Sequence, residues 1–458
     1  MDSHKLRVAV VGAGIAGLAA TLAFSRAGYR VILIEKDAAP PTRTPGASFL
    51  NWDRPGVPQR RLAHAFLPLA RKRLQEYLPD AVERLVAVGG HHIDLLEPVE
   101  GRELRPGDDE LVSLRSRRTV FEWVLRKMVD EEPGARVLAG DAAAGLAGTA
   151  ASVTGVRTAS GDLIEAELVV DASGRRSSLP RWLRDLGAPE PEEEQQPCGI
   201  VYFTRFYQRR DPSLPVGFRA RLGYAVVSVG ASDGRTFSVT FFARAEELGL
   251  RKLRDGDAFD RAVSTIDGTA PWLDSAMPIG PVNAMGALAN SIRRFALDGT
   301  VVVPGILAIG DAISHTDPSL GRGMSLALDH AFTAASLTWN SRSSVDSALE
   351  YHARIDPLVD ASYVDAVAAN RLETRIYGGD ASAREEPRAI ITRAIPLAAA
   401  HDQDLFRANL RNVGLLDTPG SIVSQPWIER ARAVLASSTA RPSPGPDLQT
   451  MLELLNRP

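Results

Sequence analysis

The first thirty-five residues alternate between short apolar runs and a stretch of helical periodicity. Residues 6–11 form an apolar, β-branched run of the kind that makes a buried parallel strand. Glycines interrupt it; Leu18, Leu22 and Ala23 then recur at helical spacing, and Gly28 is placed to end the helix. Val31, Ile32, Leu33 and Ile34 make a second buried strand that closes on Glu35. The pattern predicts a βαβ unit of about thirty residues.

Further along, residues 38–58 carry five prolines and read as loop. Residues 63–78 have the spacing of an amphipathic helix that would include His64, and residues 120–129 that of a second helix opened by Arg118 and Thr119. Leu168, Val169 and Val170 form a buried strand. Residues 190–197 read as an acidic, proline-bounded link. From 200 to 242 strands rich in Val, Tyr and Phe alternate, which predicts an antiparallel sheet. Residues 301–309 return to the buried-strand pattern, a helix follows over 323–338, and the remainder reads as helical with a flexible polar tail after about Ser437.

At 458 residues the chain is long enough for two or three domains, and its 45% hydrophobic and 24% charged residues are those of a water-soluble protein. A net charge of −3 gives no electrostatic reason to expect nucleic acid or an anionic membrane as partner. The lone Cys198 excludes an intramolecular disulfide, a Cys-x-x-Cys redox pair and a cysteine-based zinc site, and no metal site is expected. Lys5 and Arg7 ahead of the uncharged run superficially resemble a signal peptide, but strand, glycine turn and helix explain that run better. No segment is long and apolar enough for stable membrane insertion, so the expected location is cytoplasmic.

The candidate chemistry lies in three separated stretches. In Gly12-Ala13-Gly14-Ile15-Ala16-Gly17, Gly12 permits the tight turn out of the strand, Gly14 lets backbone approach a pyrophosphate, and Gly17 lets helix and strand pack closely. The helix N-terminus offers N–H groups to the anion. Glu35, followed by Lys36, is placed to accept from ribose hydroxyls. The middle stretch is Asp171-Ala172-Ser173-Gly174. The third runs from Gly310-Asp311 through His315, Asp317, Pro318, Gly321, Gly323 and Met324 into a helix, where backbone N–H groups can stabilise negative charge on a reduced ring. Asp311 would accept from a sugar-chain hydroxyl. His315 and Asp317 are candidates to shuttle a proton, against the plainer reading of a hydrogen-bonded turn.

Taken in this order, the three stretches resemble the FAD-dependent monooxygenases related to the aromatic hydroxylases and polyketide or polyether epoxidases. Gly310, Asp311, Ala312, Pro318, Gly321 and Gly323 match that family's third motif, with Ser325 where an Asn is usual. The family's flavin-contacting arginine matches Arg118. The stretch holding Arg54, Pro55, Gly56, Arg61 and His64 is similar to one found in a subgroup that includes polyether epoxidases, and Leu62 stands where that subgroup often has a second His.

The resemblance covers roughly residues 5–340. It implies an α/β Rossmann-type FAD-binding domain over 1–190 with a small sheet excursion near 80–115, and a substrate-binding antiparallel sheet over 191–290. A return segment over 291–345 and a helical C-terminal region over 346–458 complete it. It also implies the reaction: reduced FAD and O2 give a flavin C4a-hydroperoxide, which hydroxylates or epoxidises a small hydrophobic polyketide, terpenoid or aromatic metabolite of secondary metabolism. Pro318 and its neighbours would wall the oxygen-reacting face.

The relatives' Asp-Gly pair, which serves FAD and NADPH together, is Ser173-Gly174 here, with Asp171 two positions upstream. Electrons from NAD(P)H would then arrive directly or through a partner flavin reductase, and Asp171 serves either that altered site or a simple turn cap. On the substrate side Tyr202, Phe203, Phe206, Tyr207, Tyr224, Phe237, Phe241 and Phe242 alternate along strands, so one set should face a pocket and the other a core.

Three competing functions are open. A reductase of the geranylgeranyl-reductase type also tolerates Ser-Gly in the middle motif. A flavin-dependent halogenase would carry a Trp-x-Trp pair, which is missing, and a catalytic lysine, for which the early region offers only Lys72. A non-catalytic nucleotide binder has little need of the third motif.

Overall fold

The computed structural model describes residues 6–40, 44–211, 217–339, 344–437 and 443–457. Lys5, Pro41 and residues 212–216 within the expected sheet lie outside them. At the centre is a parallel five-stranded sheet in the order Ile306–Ala308, Leu168–Asp171, Arg7–Val11, Arg30–Glu35, Ala135–Ala139. Val8, Val10, Leu33, Val169, Val170 and Leu307 are almost fully buried, which is why these strands read as continuous apolar runs instead of alternating ones. Helices Ile15–Arg26 and Gly323–Ser336 pack against each other beside the sheet, and a meander of Ala143–Thr149, Ser152–Thr158 and Leu163–Glu165 packs near Leu168–Asp171.

A second, antiparallel sheet runs Phe218–Arg221, Ala225–Ala231, Thr236–Arg244, Ile200–Arg209, Ala276–Met285. One of its faces packs Phe203, Phe237 and Phe241 into a separate core with Phe259 and Trp272. A three-stranded sheet, Glu192–Pro197, Ala289–Arg294, Ser314–His315, lies between the two large sheets in the chain path. Together with the helices of the C-terminal region this is an α/β FAD-binding fold with antiparallel sheets added, as the sequence predicts.

Several local expectations are corrected. Residues 63–67 are not helical; the helix is Pro68–Tyr77, because Pro68 supplies a natural first-turn residue, and His64 lies in the preceding loop. Pro45 likewise opens a short helix, Pro45–Asn51, inside the expected loop. The acidic link is a strand: Glu193 pairs with Arg293 (3.0 Å) and Glu194 with Arg294 (3.8 Å) across the ladder, so its charges are neutralised by the neighbouring strand.

The polar tail also differs. Residues 443–457 carry the helix Leu448–Leu455, capped by Asp447 on the Thr450 N–H (2.8 Å), and its Met451 and Leu455 enter the core of the antiparallel sheet. Tyr224 Oη donates to the Pro446 carbonyl (3.2 Å) and the Asp267 N–H to that of Pro444 (2.8 Å), fixing the approach to this helix. A high proline and serine content masked a short amphipathic helix whose partner surface lies some 190 residues upstream. Met451→Ala is expected to lower the unfolding free energy by about 2–5 kcal/mol, the usual cost of emptying a closed apolar site. Urea denaturation followed by circular dichroism checks this.

Candidate cofactor and substrate site

The glycine turn is built as its spacing requires. Gly12 has φ +98° and its N–H donates to the Ile34 carbonyl (2.8 Å), tying the turn to the next strand. A Cβ on Gly17 would stand 1.8 Å from the Gly12 carbonyl oxygen, so only glycine lets the helix start this close to the strand. A Cβ on Gly14 would meet nothing nearer than Arg118 Nη2 at 3.8 Å, which leaves open space in front of the first helical N–H groups. An anion has room there to reach those N–H groups.

Behind the turn lies a buried charge cluster. Arg54, 1% exposed, donates from Nη2 to Glu35 Oε2 (2.7 Å), from Nη1 to Glu122 Oε2 (3.1 Å) and to the Ala13 carbonyl (2.9 Å), and its Nε is 3.5 Å from Asp37 Oδ2. Three neighbouring carboxylates hold its pKa above the ordinary guanidinium value against the opposing effect of burial. Glu35 also accepts the Ala13 N–H (2.7 Å) and the Asp37 N–H (2.9 Å). Glu122, fully buried, accepts Arg118 Nε (2.8 Å) on its other oxygen, and Arg118 Nη1 reaches His64 Nε2 (3.2 Å).

His64 Nδ1 faces the Leu62 carbonyl (2.9 Å), so that nitrogen carries the proton and Nε2 accepts from Arg118. Burial, then the Arg118 charge, lowers the His64 pKa to about 3.

One partly open cavity of about 1240 Å³ joins these parts to the rest of the expected site. Gly12, Gly14, Ala16, Glu35, Lys36 and Arg118 line one end; Asp311, His315, Asp317, Pro318, Gly321, Gly323 and Met324 line the middle. Arg54, Ala13 and Gly17 depart from the expected cofactor contacts. They stand behind the wall, because Arg54 and Ala13 are consumed by the Glu35 cluster and Gly17 by the helix–strand contact.

Asp311 projects a carboxylate that no described residue hydrogen-bonds, which fits an acceptor waiting for a sugar-chain hydroxyl. His315 Nδ1 pairs with the Ala289 carbonyl (2.8 Å), which fixes the Nδ1–H tautomer; no described residue hydrogen-bonds its Nε2, and the residue lines the cavity. Asp317 is differently disposed: its carboxylate accepts the Ser319 N–H (2.8 Å) and the Asn370 amide, and its own N–H donates to Asn290 Oδ1 (2.7 Å). Asn290 donates to Asn370 (2.7 Å), closing a buried network that holds the loop against the long helix Ser344–Tyr377. These contacts give Asp317 a structural part in holding the loop.

Asp171 caps its own turn, accepting from the Ser173 N–H (3.0 Å) and the hydroxyls of Ser173 and Ser177. Burial raises its pKa in spite of those donors.

The aromatic strands divide by register. Tyr202 pairs with Phe242 and both line the cavity, whereas their neighbours Phe203 and Phe241 face the core, as do Tyr207, Tyr224 and Phe237. Phe206 packs edge-on to Phe49. On the cavity face Thr240 and Ser238 continue the row, so the wall is more polar than the aromatic content suggested. The sequence reading missed Phe218, Arg219 and the C-terminal side chains Ile395, Phe406, Leu410 and Val413 on this wall. It also missed Glu122, which an i,i+4 spacing from Arg118 could have flagged.

Comparison with known proteins agrees with this geometry. Residues 7–117 match the family model of FAD dependent oxidoreductases. Protein Rv3254 of Mycobacterium tuberculosis is 26% identical over 359 residues, 71% of each chain. Among solved structures, PqsL of Pseudomonas aeruginosa, a probable FAD-dependent monooxygenase, superposes with a TM-score of 0.60 at 17% identity, covering 83% of this chain and 100% of its own. The flavin-dependent brominase Bmp2 superposes with a TM-score of 0.62 at 15% identity, covering 94% and 98%. Residues 7–117 thus resemble the FAD dependent oxidoreductases. The fold of the chain is the one shared by flavin monooxygenases and flavin halogenases.

Two outcomes follow from the site. Gly17→Ala is expected to remove bound FAD, read as loss of the 450 nm flavin band relative to protein absorbance. The second concerns acid. Burial lowers the His64 pKa from 6.5 to about 3, and that of His330 also to about 3, so as the pH falls the unfolded chain takes up these protons first. Stability is therefore lost from about pH 6.5 downward by as much as ~1.4 kcal/mol per pH unit for each histidine, and this loss levels off near pH 3. His64→Gln should flatten that acid limb in denaturation curves taken between those limits.

Proposed function

We propose that this protein is a monooxygenase that hydroxylates or epoxidises a small hydrophobic metabolite, with electrons from NAD(P)H delivered through a partner flavin reductase. The observation that carries the reading is one cavity in which the glycine turn, the His315–Gly323 loop and the Tyr202/Phe242 face of the antiparallel sheet share a common space. Cofactor and substrate would meet there.

Arg118 and the N–H groups after Gly14 would hold the pyrophosphate, Glu35 and Lys36 the adenosine end, and Asp311 a hydroxyl of the ribityl chain. Bound FAD, once reduced, supplies the activation of O2 and the oxygen atom for the substrate. Loop residues Pro318–Gly323 would face the ring, kept in shape by Asp317, Asn290 and Asn370. Arg322 anchors the same loop, donating to the Ser362 carbonyl (3.0 Å) and to Asp365. His315, its Nδ1 held by the Ala289 carbonyl, would accept through Nε2 a proton released at the substrate and return it. Tyr202 cannot serve as base, because burial drives its hydroxyl pKa well upward.

Support for a partner reductase comes from Asp171. Its carboxylate is spent on Ser173 and Ser177, so the Ser173-Gly174 turn presents no acid to a nicotinamide cofactor.

Anaerobic mixing of the FAD-loaded protein with NADPH or NADH tests this: slow bleaching of the flavin, accelerated at least about tenfold by an added flavin reductase, is expected. Rapid bleaching without the reductase would replace that part of the proposal by direct hydride transfer. Oxygen uptake by the reduced protein should then depend on a hydrophobic substrate; its absence points to a reductase instead.

A further inference from the structure

The cavity wall contains a cation that the reading above does not use. Arg115 ends the strand Val112–Arg115, opposite His91 in a two-stranded ribbon, and both residues line the cavity. The Arg115 side chain is half-buried in that wall, and burial alone lowers its proton affinity, with no carboxylate acting in the other direction. No described residue hydrogen-bonds or ion-pairs with its guanidinium.

Buried arginines elsewhere are treated differently. Arg54 holds Glu35, Arg117 holds Asp233 through two nitrogens, Arg322 holds Asp365 and Arg407 holds Asp108. A guanidinium stays charged, and one set half-buried in a cavity wall without a protein anion is open to an anion from a ligand. The nearby acids are already engaged: Asp233 by Arg117, and Asp94 by Arg102 and the Leu96 N–H. His91 opposite adds no negative charge, and burial lowers its proton affinity, so it stays neutral beside Arg115. From Arg115 the same wall passes onto Ile93 and Leu95 and then to Phe406, Leu410 and Val413 of the C-terminal helices.

We infer that Arg115 is the docking point for a carboxylate carried by the substrate, whose apolar body lies along the Ile93–Leu95 ribbon and the C-terminal helices. The inference rests on the proposed function and narrows its substrate to a hydrophobic acid. A planar guanidinium binds a carboxylate through two parallel hydrogen bonds, and in a half-buried site such a pair discriminates against a neutral isostere. The C-terminal helices then set the length and bulk of the acid accepted. Arg219, also on the wall, is a poorer anchor: its guanidinium donates to the Ser319 carbonyl and sits 5.8 Å from the Phe242 ring centre. The same cation could instead meet a phosphate of a nicotinamide dinucleotide, and the test separates the two.

Calorimetric titration of the FAD-loaded protein with 4-phenylbutyrate and with 4-phenylbutanol decides the matter without any turnover. The acid is expected to bind at least about tenfold more tightly than the alcohol. Arg115→Met should bring the two affinities together, while Arg115→Lys keeps part of the preference. Adenosine 2′,5′-bisphosphate, the phosphate-bearing fragment of NADPH, should bind equally to the parent and to Arg115→Met.

Retention of the 450 nm band shows that each variant is folded; should Arg115→Met lose it, Arg115→Lys carries the test through its reduced preference for the acid. Equal binding of acid and alcohol by the parent, absence of acid binding, or a preference that survives in the folded variants overturns the inference. Selective loss of bisphosphate binding overturns it too, by assigning Arg115 to the nucleotide. Failure of oxygen transfer with intact acid binding would overturn the proposed function alone.

Discussion

The site depends on one buried guanidinium. Arg54 lies between three carboxylates from two separate parts of the chain: Glu35 at the end of a central strand with Asp37 just beyond it, and Glu122 inside the helix Arg118–Glu131. None of these acids could be left buried alone, and neither could the arginine, so the elements that carry them are held in one arrangement. The consequence reaches the cofactor cradle through two short links. Glu35 grips the Ala13 N–H in the glycine turn, and Glu122 grips the Arg118 guanidinium on the cavity wall. Both sides of the space in front of Gly14 are thus referenced to the same cation, which itself never reaches the cavity.

The antiparallel sheet divides its labour by the two-residue period of a strand. Phe203 and Phe241 go one way, into a core shared with Phe259 and Trp272; Tyr202 and Phe242 go the other, into the cavity. Because the ladder between Ile200–Arg209 and Thr236–Arg244 keeps these pairs in register, the core that stabilises the sheet also fixes this wall of the cavity. The loop from His315 to Gly323 is anchored from the opposite side, through Asn290 and Asn370 to the long C-terminal helix.

Much of the cofactor half was legible in the sequence, because local rules govern it. Gly12, Gly14 and Gly17 follow from the space and turn they must provide, and the strands around them from unbroken apolar runs. What escaped was settled by distant partners. Arg54 looked like a cofactor contact and proved to be a structural cation, since nothing local says that Glu35, Asp37 and Glu122 converge on it. Pairing across the sheet turned the acidic stretch before Cys198 into a strand, by supplying Arg293 and Arg294. Helical spacing around His64 was overruled by Pro68, and the proline-rich tail concealed Met451 and Leu455, whose burial depends on a surface far upstream.

That last helix bears on how the molecule is assembled during synthesis. The parallel sheet needs Ile306–Ala308 for its edge, and the antiparallel sheet needs Met451 and Leu455 to complete its core. A ribosome must therefore release nearly the whole chain before the second layer is sealed, and until then an apolar surface beside Phe259 and Leu253 stands open. Such long-range closure slows folding and exposes the nascent protein to self-association. Removal of the helix Leu448–Leu455 would leave that surface uncovered in the finished chain as well.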